Sequence, residues 1–300
     1  MDQRIEGIHH ITAIATDPQK NVEFYSGVLG LRLVKKTVNF DDPGTYHLYY
    51  GDELGRPGTI LTFFPWPQAR RGSRGVGQAT VTSFSIPEGS LGFWQERLKR
   101  HGVIAEEPIE RFEEEAIALY DPDGLKLELV AHAGGGEGRP WEGASIAVEH
   151  AIRGFHSATL TLRRTEATAQ LLTEVMGLQP EGELANRLRF QGEDAAGSRI
   201  DLLRSPEAGF GQVAAGTVHH VAWRVPDVEA QAAWRTNLTE AGLQPTKILD
   251  RQYFQSIYFR EPGGVLFELA TDPPGFGIDE APEELGTGLR LPDFAGLDKS

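Results

Sequence analysis

The sequence predicts an α+β protein assembled from four βαβββ modules, and three observations carry that expectation. The halves of the chain repeat each other. Gly7-Ile8-His9-His10-Ile11-Thr12-Ala13 is echoed by Gly154-Phe155-His156-Ser157-Ala158-Thr159-Leu160, and Tyr120-Asp121-Pro122-Asp123-Gly124-Leu125 by Phe259-Arg260-Glu261-Pro262-Gly263-Gly264-Val265 with one extra residue. Each repeat runs from a β-rich stretch through one amphipathic helical pattern into short strands with turn residues. A lone βαβββ unit cannot cover both faces of its sheet, so units must pair around a shared cleft.

Aligning the helix ends places the modules at 5–65, 78–131, 153–204 and 216–270, with helices over 18–28, 88–101, 165–176 and 227–241. Asp17, Thr165 and Asp227 stand where an N-cap is wanted, and Gly30, Gly102, Gly177 and Gly242 where a left-handed C-cap belongs. Ala133-Gly134-Gly135-Gly136-Glu137-Gly138 reads as a linker between the halves. The expected division is therefore an N-terminal unit at 1–132, a linker at 133–152 and a C-terminal unit at 153–300. Arg70-Arg71-Gly72-Ser73-Arg74-Gly75-Val76-Gly77 joins the first two modules as a solvated loop. Beyond 271 a Pro/Gly-rich acidic tail is expected to cross the surface or a pocket mouth.

Composition narrows the function classes. The 300 residues carry 29 basic and 43 acidic side chains, a net charge of −14, which leaves no basic footprint for nucleic acid or anionic lipid. No cysteine is present, so disulfides, thiolate metal ligands and a cysteine nucleophile are excluded. The N-terminus reads without a signal peptide, and no apolar run approaches the roughly 20 residues of a membrane span. A cytoplasmic protein with no nucleic-acid or membrane partner is expected; a homo-oligomer stays open. Asn237-Leu238-Thr239 and Gly209-Phe210-Gly211 lack the context of a glycosylation site or a dinucleotide loop.

Histidines and carboxylates recur at equivalent places. His9-His10 opens the first module and His219-His220 the fourth, His156 marks the third, and Glu128 and Glu268 interrupt apolar final strands. An ionised glutamate within Val265-Leu266-Phe267-Glu268-Leu269 is costly unless it is paired or binds a metal. Strand alternation lets only one member of each histidine pair face a given site. Two histidines and a carboxylate form the facial triad suited to Fe(II), and Zn(II) or Mn(II) accept the same donors. Spacing alone allows His10, His220 and Glu268, or His156, His220 and Glu268.

These segments, with Val34-Lys35-Lys36-Thr37, Tyr46-His47-Leu48-Tyr49-Tyr50 and Glu149-His150-Ala151, resemble the vicinal-oxygen-chelate (glyoxalase/extradiol dioxygenase) superfamily. Within it the likeness is to the hydroquinone 1,2-dioxygenase and ring-cleaving dioxygenase branch. The resemblance implies modules paired into two glyoxalase-like domains and Fe(II)-dependent opening of a hydroquinone or related phenol with O2. It implies His10, His220 and Glu268 as metal ligands, leaving His156 as the alternative. His9, Thr12, His219, Arg251 and Tyr258 then stand beside them as catalytic candidates. His47 and His150 lie in matched segments without an assigned role, so core packing is expected for them. A glyoxalase-type isomerase or lyase, or a non-catalytic small-molecule binder, would keep the same fold. Leu61-Thr62-Phe63-Phe64 lacks the fourth protein ligand that an isomerase of this type recruits.

Overall fold

The computed structural model describes residues 4–193 and 197–292; Met1 to Gln3 of the expected leaderless N-terminus and 293–300 of the expected tail lie outside them. The first module supplies β1 (Ile8–Ala15), β2 (Arg32–Val38), β3 (Tyr46–Gly51) and β4 (Ile60–Pro65). The second supplies β5 (Gln78–Pro87), β6 (Ile109–Arg111), β7 (Glu114–Tyr120) and β8 (Lys126–His132). The third gives β9 (Phe155–Leu162), β10 (Gln179–Leu184), β11 (Arg187–Gln191) and β12 (Arg199–Arg204), and the fourth β13 (Val218–Val225), β14 (Leu249–Asp250), β15 (Gln255–Arg260) and β16 (Leu266–Thr271).

Each module carries its helix where the pattern places it. These are α1 (Pro18–Val22), α2 (Leu91–Arg100), α3 (Glu166–Gln170) and α4 (Val228–Glu240). In the first and third modules the last turns widen into π-helix, at Glu23–Val28 and Leu171–Val175, so even this irregularity repeats. Asp17 and Asp227 cap their helices by accepting backbone N–H bonds, whereas Thr165 makes no side-chain cap bond. Gly30 takes the expected left-handed conformation at φ +72°.

The strands form two eight-stranded sheets, β14-β15-β16-β13-β1-β4-β3-β2 and β10-β11-β12-β9-β5-β8-β7-β6. Modules one and four share the first sheet, and modules two and three the second. Pairing of consecutive modules within 1–132 and within 153–300 is thus replaced by pairing across the linker. The reason lies in the two connections between sheets. Segments 70–77 and 209–215 run side by side and hydrogen-bond, Gly72 N–H to Ala215 O at 2.8 Å and Gln212 N–H to Ser73 O at 2.8 Å. A Cβ on Gly75 would fall 2.4 Å from the Gly209 carbonyl oxygen, so the glycine lets the two backbones touch. The segment keeps Arg70, Arg71, Ser73 and Arg74 exposed, as expected of a solvated loop, while its backbone forms a seam beside the β1–β13 pair.

The tail closes one side of the first sheet. Phe276 and Leu285 bury themselves against Val34, Tyr49, Ile60, Tyr253 and Phe254. Lys35, fully buried on β2, pins this strap by bonds to Asp279, Glu280 and, at 3.2 Å, the Phe276 carbonyl. Removing that ammonium strands buried carboxylate charge, which costs about 3–5 kcal/mol. Lys35→Ala is expected to lose stability of that order in urea unfolding; a loss below about 1 kcal/mol would show that the strap does not depend on it.

Candidate metal centre

β1 and β13 run antiparallel, and their register carries two bulges. Pairing steps from Ile8↔Trp223 to His10↔Ala222, which leaves His9 as an extra residue on β1. It then steps from Thr12↔His220 to Ala13↔Val218, which leaves His219 as an extra residue on β13. A bulge suspends strict alternation and re-aims side chains. Successive histidines can therefore meet, where strict alternation would send them to opposite faces.

His10 and His220 reach the centre from these two strands, and Glu268 reaches it from β16. His220 Nε2 lies 2.9 Å and His10 Nε2 3.3 Å from Glu268 Oε2, and the two Nε2 atoms are 3.3 Å apart. All three residues are buried, Glu268 completely. Among the described residues this is the group of His and carboxylate side chains whose donor atoms converge closely enough to hold a metal ion.

The bulged histidines stand directly behind the two rings. His9 Nδ1 lies 2.9 Å from His10 Nδ1, and His219 Nδ1 lies 2.7 Å from His220 Nδ1. Burial pushes His9 well below the usual imidazole range and His219 down to about 3, in each case helped by the neighbouring histidine, so both are neutral at pH 7. In each contact one nitrogen donates and the other accepts. If His10 and His220 donate from Nδ1, both turn an Nε2 lone pair toward Glu268. Two lone pairs and the Oε2 atom, which has no hydrogen-bond donor, then face one small space. Ser256 donates to the other carboxylate oxygen. Such a convergence of acceptors calls for a cation, and the N/O donor set fits a divalent transition metal.

Next to the triad is a small cavity walled by Asn39, Phe40, His47, Phe64, Phe254 and Tyr258, with about 30 Å³ of interior space. Arg251 lines it too, bonded to Asp41 at 3.0 and 3.2 Å rather than to neighbouring Asp250. Its guanidinium lies 5.7 Å from the centre of the Tyr258 ring. Tyr258 sits opposite Glu268 in the ladder, where burial and then the Glu268 charge raise its phenol well above the ordinary value and keep it protonated. Thr12 lies one step back. It meets Thr62 at 2.9 Å; Thr62 meets His47 Nε2 at 2.8 Å, and His47 Nδ1 meets the Tyr49 hydroxyl at 2.8 Å.

His156 is elsewhere, on the second sheet, with Nε2 2.9 Å from Glu114. The structure thus brings together His10, His220, Glu268, Arg251 and Tyr258 around the cavity, with His9 and His219 behind the rings. His47, Tyr49, Phe254 and Ser256 were missed as site residues. For His47 and Tyr49 a signal existed, because alternation along β3 puts both on one face.

The fold and the site define a class. The family profile of the Glyoxalase/Bleomycin resistance protein/Dioxygenase superfamily matches residues 7–129 and 154–269, and the chain belongs to that superfamily. More particularly, it is 50% identical over 292 residues to the "Putative ring-cleaving dioxygenase MhqO" of Bacillus subtilis, spanning 97% of this chain and 93% of the relative. It is 39% identical over 307 residues to the chlorohydroquinone/hydroquinone 1,2-dioxygenase of Sphingobium indicum, spanning 99% and 95%. The crystal structure of a dioxygenase of Bacillus subtilis, named as putative, superposes with a TM-score of 0.93 at 50% identity, covering 97% and 93%. Glyoxalase I of Zea mays shares the fold, with a TM-score of 0.66 at 15% identity over 89% of this chain and 92% of its own.

His9→Ala and His219→Ala are expected to weaken divalent-metal affinity about 10- to 100-fold while leaving a site that fills at excess metal. His10→Ala, His220→Ala and Glu268→Ala should abolish tight binding, and His156→Ala should leave it unchanged. Metal titration of the refolded variants separates these outcomes; a filled His10→Ala with an empty His156→Ala would reverse the ligand set.

Proposed function

We propose that this chain is an Fe(II)-dependent ring-cleaving dioxygenase that opens a hydroquinone or related phenol with O2. The observation that carries the reading is the convergence of His10, His220 and Glu268 beside a cavity walled by aromatic rings, in a chain whose relatives are named as dioxygenases. Bound Fe(II), for which Mn(II) or Zn(II) are chemical alternatives at the same donors, supplies open coordination positions for a substrate oxygen and for O2 and an electron path between them.

The chain's own residues do the rest. Phe64 and Phe254 give a planar ring apolar walls, and Phe254 already lies 5.0 Å from the His10 ring, centre to centre. The cavity as it stands has room for about two waters, so a phenol enters only where a wall residue gives way, and the exposed Asp41, paired with Arg251, stands in that wall. Arg251 then exchanges the Asp41 carboxylate for the phenolate oxygen of the substrate, and the incoming anion keeps the guanidinium paired. Tyr258, held protonated, donates a hydrogen bond beside the reacting oxygen. His47, whose pKa burial pushes well below the usual imidazole range, is neutral with both ring nitrogens engaged, by Thr62 and by Tyr49, so it shapes the wall rather than taking a second ring hydroxyl. Both atoms of O2 end in an open-chain product with a new carboxyl group.

Oxygen uptake after anaerobic Fe(II) loading tests the reading, with hydroquinone, chlorohydroquinone, catechol and gentisate as substrates. Stoichiometric uptake with both labelled oxygen atoms in a ring-opened acid is expected for a hydroquinone. No uptake with any phenol at full iron occupancy would end the proposal.

Arg251→Leu should lower kcat/KM about 10- to 100-fold at unchanged iron content, the loss of one shielded charge-assisted hydrogen bond. Substrates whose hydroxyl ionises easily should suffer most. A flat, near-wild-type profile across phenols of differing acidity would leave Arg251 as a partner of Asp41 alone.

A further inference from the structure

The second sheet repeats the first down to its irregularities. β5 and β9 pair antiparallel as β13 and β1 do, with bulges at the matching steps, Phe84↔Phe155 to Ser83↔Ser157 and Val81↔Thr159 to Ala79↔Leu160. The ladders then give each site residue a counterpart. His10 faces Ala222, which lies beside Glu268; Ser157 faces Ser83, which lies beside Glu128. Ser157 therefore stands for His10, Val81 for His220 and Glu128 for Glu268, while His156 answers to the bulged His9. Two of the three metal donors are gone. The remaining carboxylate is taken by Arg111, at 2.7 and 3.3 Å, and by Ser83 at 2.9 Å.

What replaces the metal site is not a filled core. Tyr258 opposite Glu268 becomes Ala118 opposite Glu128, Phe64 becomes Leu203 and His47 becomes Arg187, while Arg251 is kept as Arg111. The cleft opens to about 400 Å³; Val81, Ala118 and Leu203 give it an aliphatic wall, and its charged lining is mixed, with Arg111 and Arg187 among the cations and Glu106, Glu107 and Glu128 as carboxylates. The tail that covers the first sheet has no counterpart over it among the described residues. Arg111 is 8% exposed; both its Nη groups serve Glu128, and its Nε–H has no acceptor. A buried guanidinium N–H without an acceptor is costly, and an anion entering the cleft would satisfy it. Arg187 stands across the same cleft, its Nη1 held by Thr159 and Asp201 at 2.8 Å each.

We infer that this second cleft is a metal-free binding site for a small organic carboxylate, its carboxyl group held by Arg111 and Arg187 and its apolar body on Val81, Ala118 and Leu203. A carboxylate can accept from the Arg111 Nε–H and from the guanidinium edge of Arg187 that Thr159 and Asp201 leave open, and the aliphatic floor favours an organic anion over a bare inorganic one.

Fluorine NMR titration of the full-length, metal-loaded protein with 4-fluorobenzoate tests it. Ala118→Leu fills the cleft without touching a charge, Arg187→Gln removes one cation, and Arg251→Leu controls for binding at the metal centre. Saturable binding that weakens at least tenfold in Ala118→Leu and Arg187→Gln, persists in Arg251→Leu and is lost for neutral 4-fluorobenzamide supports the site. Circular dichroism checks folding; should Arg187→Gln unfold, Ala118→Leu alone decides. Absent binding, binding indifferent to Ala118→Leu, binding lost only in Arg251→Leu, or displacement by equimolar inorganic phosphate would each overturn it.

Discussion

The site depends on one antiparallel contact, the pairing of β1 with β13. His10 and His220 are 210 residues apart in sequence and meet because these strands are neighbours. The contact does more than bring the strands together. Its two bulges fall at His9 and His219, and each bulge turns a histidine that alternation would send away into the support of the next ring. The seam between 70–77 and 209–215, with its backbone contact at Gly75, keeps the strands in that register. Loosening the seam would misplace both rings together.

The energetics of the triad run against folding without a cation. Glu268 is buried completely and receives one strong donor, Ser256, while its second oxygen looks at two imidazole nitrogens. A buried carboxylate stabilises a fold only when its partners compensate desolvation. Here a proton or metal between the rings supplies that compensation. The polar chain from Thr12 through Thr62 and His47 to Tyr49 is satisfied internally, so it holds the wall rigid at little cost.

Much of this was legible in the sequence, and the limits are physical. The repeat revealed four modules because helix caps and glycine stops are local signals, and Gly30 and Asp17 sit where those signals put them. Module pairing was not legible, since it is decided by a seam between distant loops whose residues read as polar linker. The triad was legible as donor types, but the choice of His10 over His156 needed the family resemblance. The bulges left no mark that one sequence shows, so adjacent histidines were expected on opposite faces. Arg251 was placed at the cavity, whereas its partner Asp41 comes from another module and could not be read from local spacing. Lys35 stood out in the sequence only as part of a matched segment; the strap from the far end of the chain explains its burial.

Pairing the outer modules sets an order on biosynthesis. Modules two and three are consecutive and can close their sheet over a short linker, so loop closure is cheap there. The first module leaves the ribosome with β1 able to pair on one side with β4, while its other edge waits until β13 emerges some 200 residues later. Its last wall waits longer still, for the strap that Lys35 pins. The half of the protein without the triad can therefore close its sheet first, and the half that holds the triad can be completed only at the close of synthesis. A nascent chain cut short before the fourth module lacks His220 and Glu268 and so cannot bring the three donors together.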